Sequence, residues 1–171
     1  MTAAGFRAKT GRAIVVVLDD DGRFVARREI SLVDANVPET AEPHHAVMHL
    51  PWREAMIAVK PFEEAIDRVA IAALKNLIDE LRIDRIGIAG APERDLARIG
   101  NEHIRAHGAE GVLFRHALEV AARHAGLPCV TISDREKPPE LKSLGKEAGR
   151  PWRTDERAAA NAALRALSAR R

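Results

Sequence analysis

The chain has 171 residues, with 27 Lys or Arg against 25 Asp or Glu, a net charge of +2 and a pI near 9.0. That length suits one domain, able to bury a core without a disulfide or metal staple, and the single cysteine excludes an intramolecular disulfide framework and points to a reducing compartment. No apolar run approaches the ~20 residues of a membrane span and MTAAGFRAKTG lacks the apolar core of a signal peptide, so a cytoplasmic protein with no membrane partner is expected.

The first elements read as strands. AAGFRAKTG gives a short strand ending at a Lys9-Thr10-Gly11 turn, and Arg12 to Leu18 is β-branched and nearly continuous in apolar residues, as a strand covered on both faces requires. Asp20-Asp21-Gly22 supplies turn chemistry, and polar and apolar residues alternate from Phe24 to Ile30, so the return strand is half solvated. The run Asp19-Asp20-Asp21 is explained by that turn, because the other oxygen ligands of a calcium loop are absent. Residues 33–53 hold three prolines and read as a long loop or arm. Within it HHAVMHLPW mixes large apolar residues with histidines, which suits a partly buried segment lying over the body or against a second copy in a homodimer.

A helix is predicted from Pro61 to Leu81, where Phe62, Ile66, Ala70, Leu74, Leu77 and Leu81 recur at helical spacing. Pro61 suits a first turn, and Glu63 and Glu64 lie beside its positive end. The preceding REAMIAVK also carries helix formers, which makes Pro61 a kink or a restart. RIGIAG reads as a buried strand over 85–90, followed by a charged loop, APERDLARIGNEHIRAHG. Ala109 to Ala125 gives the next helix, and LPCVTIS a short apolar strand in which Cys129 is expected to be a buried, inert thiol. Thr154 or Asp155 then caps a last helix with Ala160, Ala163, Leu164 and Leu167 as its apolar stripe. The order β-β-β-α-β-α-β-α describes an α/β domain with a mixed sheet and helices on both faces.

GFRAKTGRAIVVVL as an opening hairpin, RIGIAG as a fourth strand, HALEVAARHAGLPCVTIS as a helix entering a fifth strand and TDERAAANAALRAL as the final helix follow a known order. Together they resemble the ribonuclease H-like superfamily, nearest its Holliday-junction resolvase branch. Nucleases of that fold hold two divalent ions between carboxylates on the first strand, at the end of the fourth strand and on the last helix. On this resemblance those places fall at or near Arg7, at Ala89 or Gly90, and near Ala158 and Asn161, none of which is acidic. Arg at the first would repel the ion. Asp155, Glu93 and Asp95 are the catalytic candidates of a nuclease alternative, with Asp19 and Glu156 behind them, and each requires a shift in alignment. Only that alternative implies Mg²⁺ or Mn²⁺; the preferred reading implies no cofactor.

Charge is distributed unevenly. From Arg135 onward ten Lys or Arg face five Asp or Glu, while the preceding residues sum to −3. Such a positive face attracts nucleic acid or an acidic partner. The binding candidates are Lys142, Lys146, Arg150 and Arg153, with Trp152 packing into the domain or stacking a base, and Arg170 and Arg171 as a frayed tail. Gly145-Lys146 is not a phosphate loop, because Glu147 follows and no glycine stands five residues earlier. Asp155 has a helix cap as its first reading. No metal site is expected of the histidines: MHLPW breaks the spacing of His45 and His49, His103 and His107 share four-residue spacing in a stretch that suits a short helix but come without cysteine partners or a metal-site carboxylate pattern, and HExxH is absent. The strand ends at Gly90, Ala91, Ser133 and Asp134 offer a third option, a small-ligand site. The expectation is a noncatalytic protein of this fold that binds nucleic acid or another anionic partner through the basic segment.

Overall fold

In the computed structural model, which describes residues 1–169, the first three strands form as β1 (Thr2–Lys9), β2 (Arg12–Asp19) and β3 (Phe24–Ser31). Arg170 and Arg171, read above as a tail, lie outside the described residues. Asp19 Oδ1 accepts the backbone N–H groups of Asp21 (3.1 Å) and Arg23 (2.8 Å), and Gly22 takes φ +76°, so the acidic run builds the hairpin turn. With β4 (Arg85–Gly90) and β5 (Cys129–Ser133) the strands form one sheet in the order β3-β2-β1-β4-β5, antiparallel on the β2 side of β1 and parallel beyond it.

The two faces of the sheet are covered differently. Ala4, Phe6, Val15, Val17, Ile86 and Ile88 meet Ile66, Ala70 and Leu74 of α3 (Lys60–Leu81) and Phe114, Ala117 and Ala121 of α4 (Glu102–His124). On the other face α6 (Thr154–Ser168) buries Ala159, Ala160 and Ala163 against Ala3, Val16 and Leu18. Gly5 and Gly87 face α6, and a Cβ at either would strike the helix backbone, so these glycines allow the helix to lie unusually close to β1 and β4.

Several boundaries differ from the sequence reading. The helix expected from Ala109 begins at Glu102, because the Asn101 side chain accepts the Ile104 N–H (2.9 Å) and caps it. The 33–53 arm is not irregular throughout: it carries a 3₁₀ turn (Pro38–Ala41) and α1 (Pro43–Ala46), and α2 (Trp52–Ala58) follows, with α3 restarting at Lys60. The arm packs over its own chain, with Val47, Ala55 and Val59 forming a small apolar cluster beside Phe62. The basic loop holds a further helix, α5 (Lys142–Ala148), anchored by buried Leu144. Cys129 is exposed rather than buried, since it opens the edge strand β5. No described helix is long and apolar enough to cross a membrane.

Candidate functional site

The places that the resemblance assigns to metal-binding carboxylates do meet in space. Arg7 on β1 is the register partner of Ala89 on β4, and Ala89 packs against Ala158 and Ala162 of α6. The charges there are already paired with one another. Arg7 Nη1 lies 3.3 Å from Asp134 Oδ2, its Nε lies 3.5 Å from Asp155 Oδ1, and Lys9 Nζ donates to Asp155 Oδ2 at 2.8 Å. Two carboxylates are thus matched by two cations, one of them a permanently charged guanidinium. Asn161, 6% exposed, donates to Glu136 Oε1 (3.2 Å), which also accepts from Arg165 (2.9 Å). The Arg165 hydrogen bond first, and that of Asn161 second, hold the Glu136 carboxyl below the usual carboxylate range.

The three catalytic candidates do not converge on one ion. Asp155 is held by Lys9 and Arg7, Glu93 by Arg115 and Asp95 by Arg98 (2.9 Å). The cap reading of Asp155 is corrected as well. Arg153 occupies the N-cap position of α6, and Glu156 accepts its backbone N–H (2.8 Å), which leaves the Asp155 carboxylate for the cations on β1. At the strand ends, the Arg115 side chain covers Gly90, and Asp134 donates its backbone N–H to Gly90 O (2.8 Å) while its carboxylate meets Arg7.

Lys142, Lys146, Arg150, Trp152 and Arg153 are brought together around a concave surface of about 1020 Å³ between α5 and the start of α6. Arg157 also lines it and was not anticipated, although it follows Arg153 at i+4 once the helix is under way. Five cations there face one carboxylate, Glu140, which reaches Lys142 at 3.2 Å. Lys146, Arg150 and Arg153 have no carboxylate within ion-pair distance among the described residues.

The walls of this cleft are fixed from the sheet edge. Arg27 on β3 donates to the carbonyls of Arg150 (3.1 Å), Gly149 (3.4 Å) and Pro151, and Glu147 accepts the Phe24 N–H (3.1 Å). Trp152 is half-buried and packs with Leu144 and the α6 alanines, its ring pressed on Gly145, where a Cβ would meet Cδ1 at 2.7 Å. It serves as an anchor rather than as an open stacking platform. Its indole N–H and the Arg157 Nε–H are buried without an acceptor, two donors beside the cations.

No protein-family model and no curated protein matches the sequence. Solved structures do resemble it. T. thermophilus RuvC in complex with Holliday junction substrate is similar over 96% of this chain and 90% of its own, at 12% identity and a TM-score of 0.53. A second Thermus thermophilus RuvC structure is similar over 96% and 92%, at 14% identity and a TM-score of 0.43. The Aquifex aeolicus PPX-GPPA enzyme is similar over 81% of this chain and 38% of its own, at 17% identity and a TM-score of 0.38. The likeness at the higher score, with the strand order above, establishes the fold: the chain is ribonuclease H-like.

Proposed function

We propose that this ribonuclease H-like protein binds nucleic acid without hydrolysing it, holding the phosphate backbone in the cleft between α5 and α6. The observation that carries the reading is the meeting of five cations with one carboxylate on a concave surface whose walls are tied to β3. Lysine ammonium groups supply point charge to phosphates, and arginine forks supply bidentate contacts. A half-buried Trp152 suits backbone recognition better than base stacking. A RuvC of the same fold is seen with a Holliday junction substrate, which makes a four-way junction the natural first probe.

The absence of hydrolysis rests on the sheet end. Two-metal catalysis needs carboxylates whose charge is available to ions about 4 Å apart. Here Asp134 and Asp155 already neutralise Arg7 and Lys9. A divalent ion entering that place would have to displace a guanidinium.

The test is fluorescence anisotropy with a labelled four-way junction across a salt series. If all five cations contact duplex phosphates, log K falls against log salt with a slope of about −4 to −5. The double variant Lys146→Glu/Arg150→Glu should bind every sequence more weakly and lower that slope by about 2. Unchanged affinity in the double variant, or no binding by the parent protein at low salt, overturns the assignment of the cleft.

A further inference from the structure

Three histidines from two distant stretches meet on the opposite face of the sheet, where the arm crosses α4. Because α4 begins at Glu102, His103 and His107 stand one turn apart on one face, with their Nε2 atoms 3.1 Å from each other. His45 of α1 brings its ring to centroid distances of 4.9 and 4.4 Å from those two, edge to face. One ring nitrogen from each of the three lies within 4.8 Å of the others.

The inner side of the cluster is built. Glu110, 0% exposed and one turn beyond His107, places Oε1 2.8 Å from His45 Nδ1 and 3.3 Å from the His45 backbone N–H. A carboxylate at Nδ1 fixes the proton there and leaves the lone pair on Nε2. His45 Nε2 is buried and has no hydrogen-bond partner, and Glu110 Oε2 has none either. An ion pair between His45 and Glu110 would tie down the arm, but it gives no account of that unused nitrogen beside two further imidazoles.

We propose that His45, His103 and His107 form a binding site for a transition-metal ion of the zinc type, with Glu110 orienting His45. Three imidazoles without thiolates suit Zn²⁺, and also Co²⁺ or Ni²⁺, over the hard oxygen-loving cations. Metal–nitrogen bonds of ~2.0–2.1 Å in a tetrahedron set the nitrogens about 3.3 Å apart. The His103–His107 pair is already close to that spacing, and both of those residues are exposed while their rings lie against that of His45. Their exposure leaves the fourth position to water. The ion would clip the arm to α4, so it stabilises the fold by mass action.

The experiment uses the untagged full chain, stripped with a chelator and titrated calorimetrically with ZnCl₂, with Co²⁺ absorption as a second readout. The expected result is one ion per chain, the visible bands of tetrahedral cobalt, and a thermal midpoint that rises with zinc. The double variant His103→Ala/His107→Ala removes two exposed side chains, so circular dichroism should stay native while uptake is lost. Glu110→Gln should weaken binding by about 10–100-fold, and His116→Ala should leave it unchanged. Failure of the parent protein to take up zinc saturably overturns the site, as does uptake that survives the double variant. The cluster and the basic cleft lie on opposite faces of the sheet, so neither result bears on nucleic-acid binding.

Discussion

Replacing Gly5 with alanine tests how closely α6 must lie on the sheet to place the start of that helix. A Cβ at Gly5 would stand 2.5 Å from Ala163 N and 2.9 Å from the Ala159 carbonyl carbon, with the Ala159 oxygen nearer still. Ordinary heavy-atom contact is about 3.5–4.0 Å, so the deficit is about 1–1.5 Å at Ala163 N and larger at the Ala159 oxygen. It falls on helix backbone, which cannot turn aside as a side chain can. The helix must therefore lift, loosening Ala159, Ala160 and Ala163 from Ala3, Val16 and Leu18 and moving Arg153 and Arg157 with it. Overpacking costs about 1–3 kcal/mol, and a backbone obstacle places this case at about 3. For a domain of this size each kcal/mol lowers Tm by about 2–4 °C, so calorimetric melting should fall by about 6–12 °C. Gly100, with no heavy atom within 4 Å of an added Cβ, is the control, and Gly100→Ala should be neutral or stabilising by up to about 1 kcal/mol. Equal melting of the two variants would refute the packing argument.

The Cys129 thiol is pushed up to about 11, by burial first and by the Glu119 charge second. Despite the residue's exposure, iodoacetamide should label it slowly at pH 8, about tenfold faster per pH unit up to about pH 11, and faster at a given pH in Glu119→Gln; rapid labelling of the native protein at pH 8 contradicts this. Because its folded value lies above the ordinary 9.0, the folded state keeps the proton longer than the unfolded chain does, so this group's contribution to stability is full below pH 9 and lost toward pH 11 in an alkaline denaturation series. Asp155→Asn breaks partly exposed pairs with Lys9 and Arg7, so it should cost no more than about 1 kcal/mol in denaturant unfolding and leave Mn²⁺ calorimetry unchanged. A saturable Mn²⁺ site that disappears in this variant would restore the nuclease alternative.

The strands and the two long helices were legible because burial imposes a continuous apolar run on β2, a polar–apolar alternation on the half-solvated β3 and a period of 3.6 on α3 and α4. The first two turns of α4 were not legible as part of that helix. Charged residues and Gly108 make NEHIRAHG read as loop, although Asn101 before Glu102 was a usable cap signal; Gly108 is there to admit Leu96, whose Cδ2 would lie 3.1 Å from a Cβ. Helix α5 was hidden for a similar reason, since Gly145 lowers its propensity while making room for Trp152, and only Gly149 just past its end was a usable stop signal. The basic cleft could be found because its residues are local in sequence. The pairing of Arg7 with Asp134 and of Lys9 with Asp155 spans 127 and 146 residues, and nothing in the spacing of single residues announces it. His45 is a further case: its partners lie across the fold, and the prolines around it argue only for an arm.

The central claim, binding at the cleft without hydrolysis at the sheet end, is tested most directly on one labelled four-way junction. The junction is incubated with the protein and Mn²⁺ at low salt, then split between a native and a denaturing gel. The account predicts a retarded junction on the first gel, lost in Lys146→Glu/Arg150→Glu, and full-length strands on the second. Strands cut by the parent protein but left whole by Asp155→Asn would contradict it, and would place metal chemistry where Arg7 and Lys9 now sit.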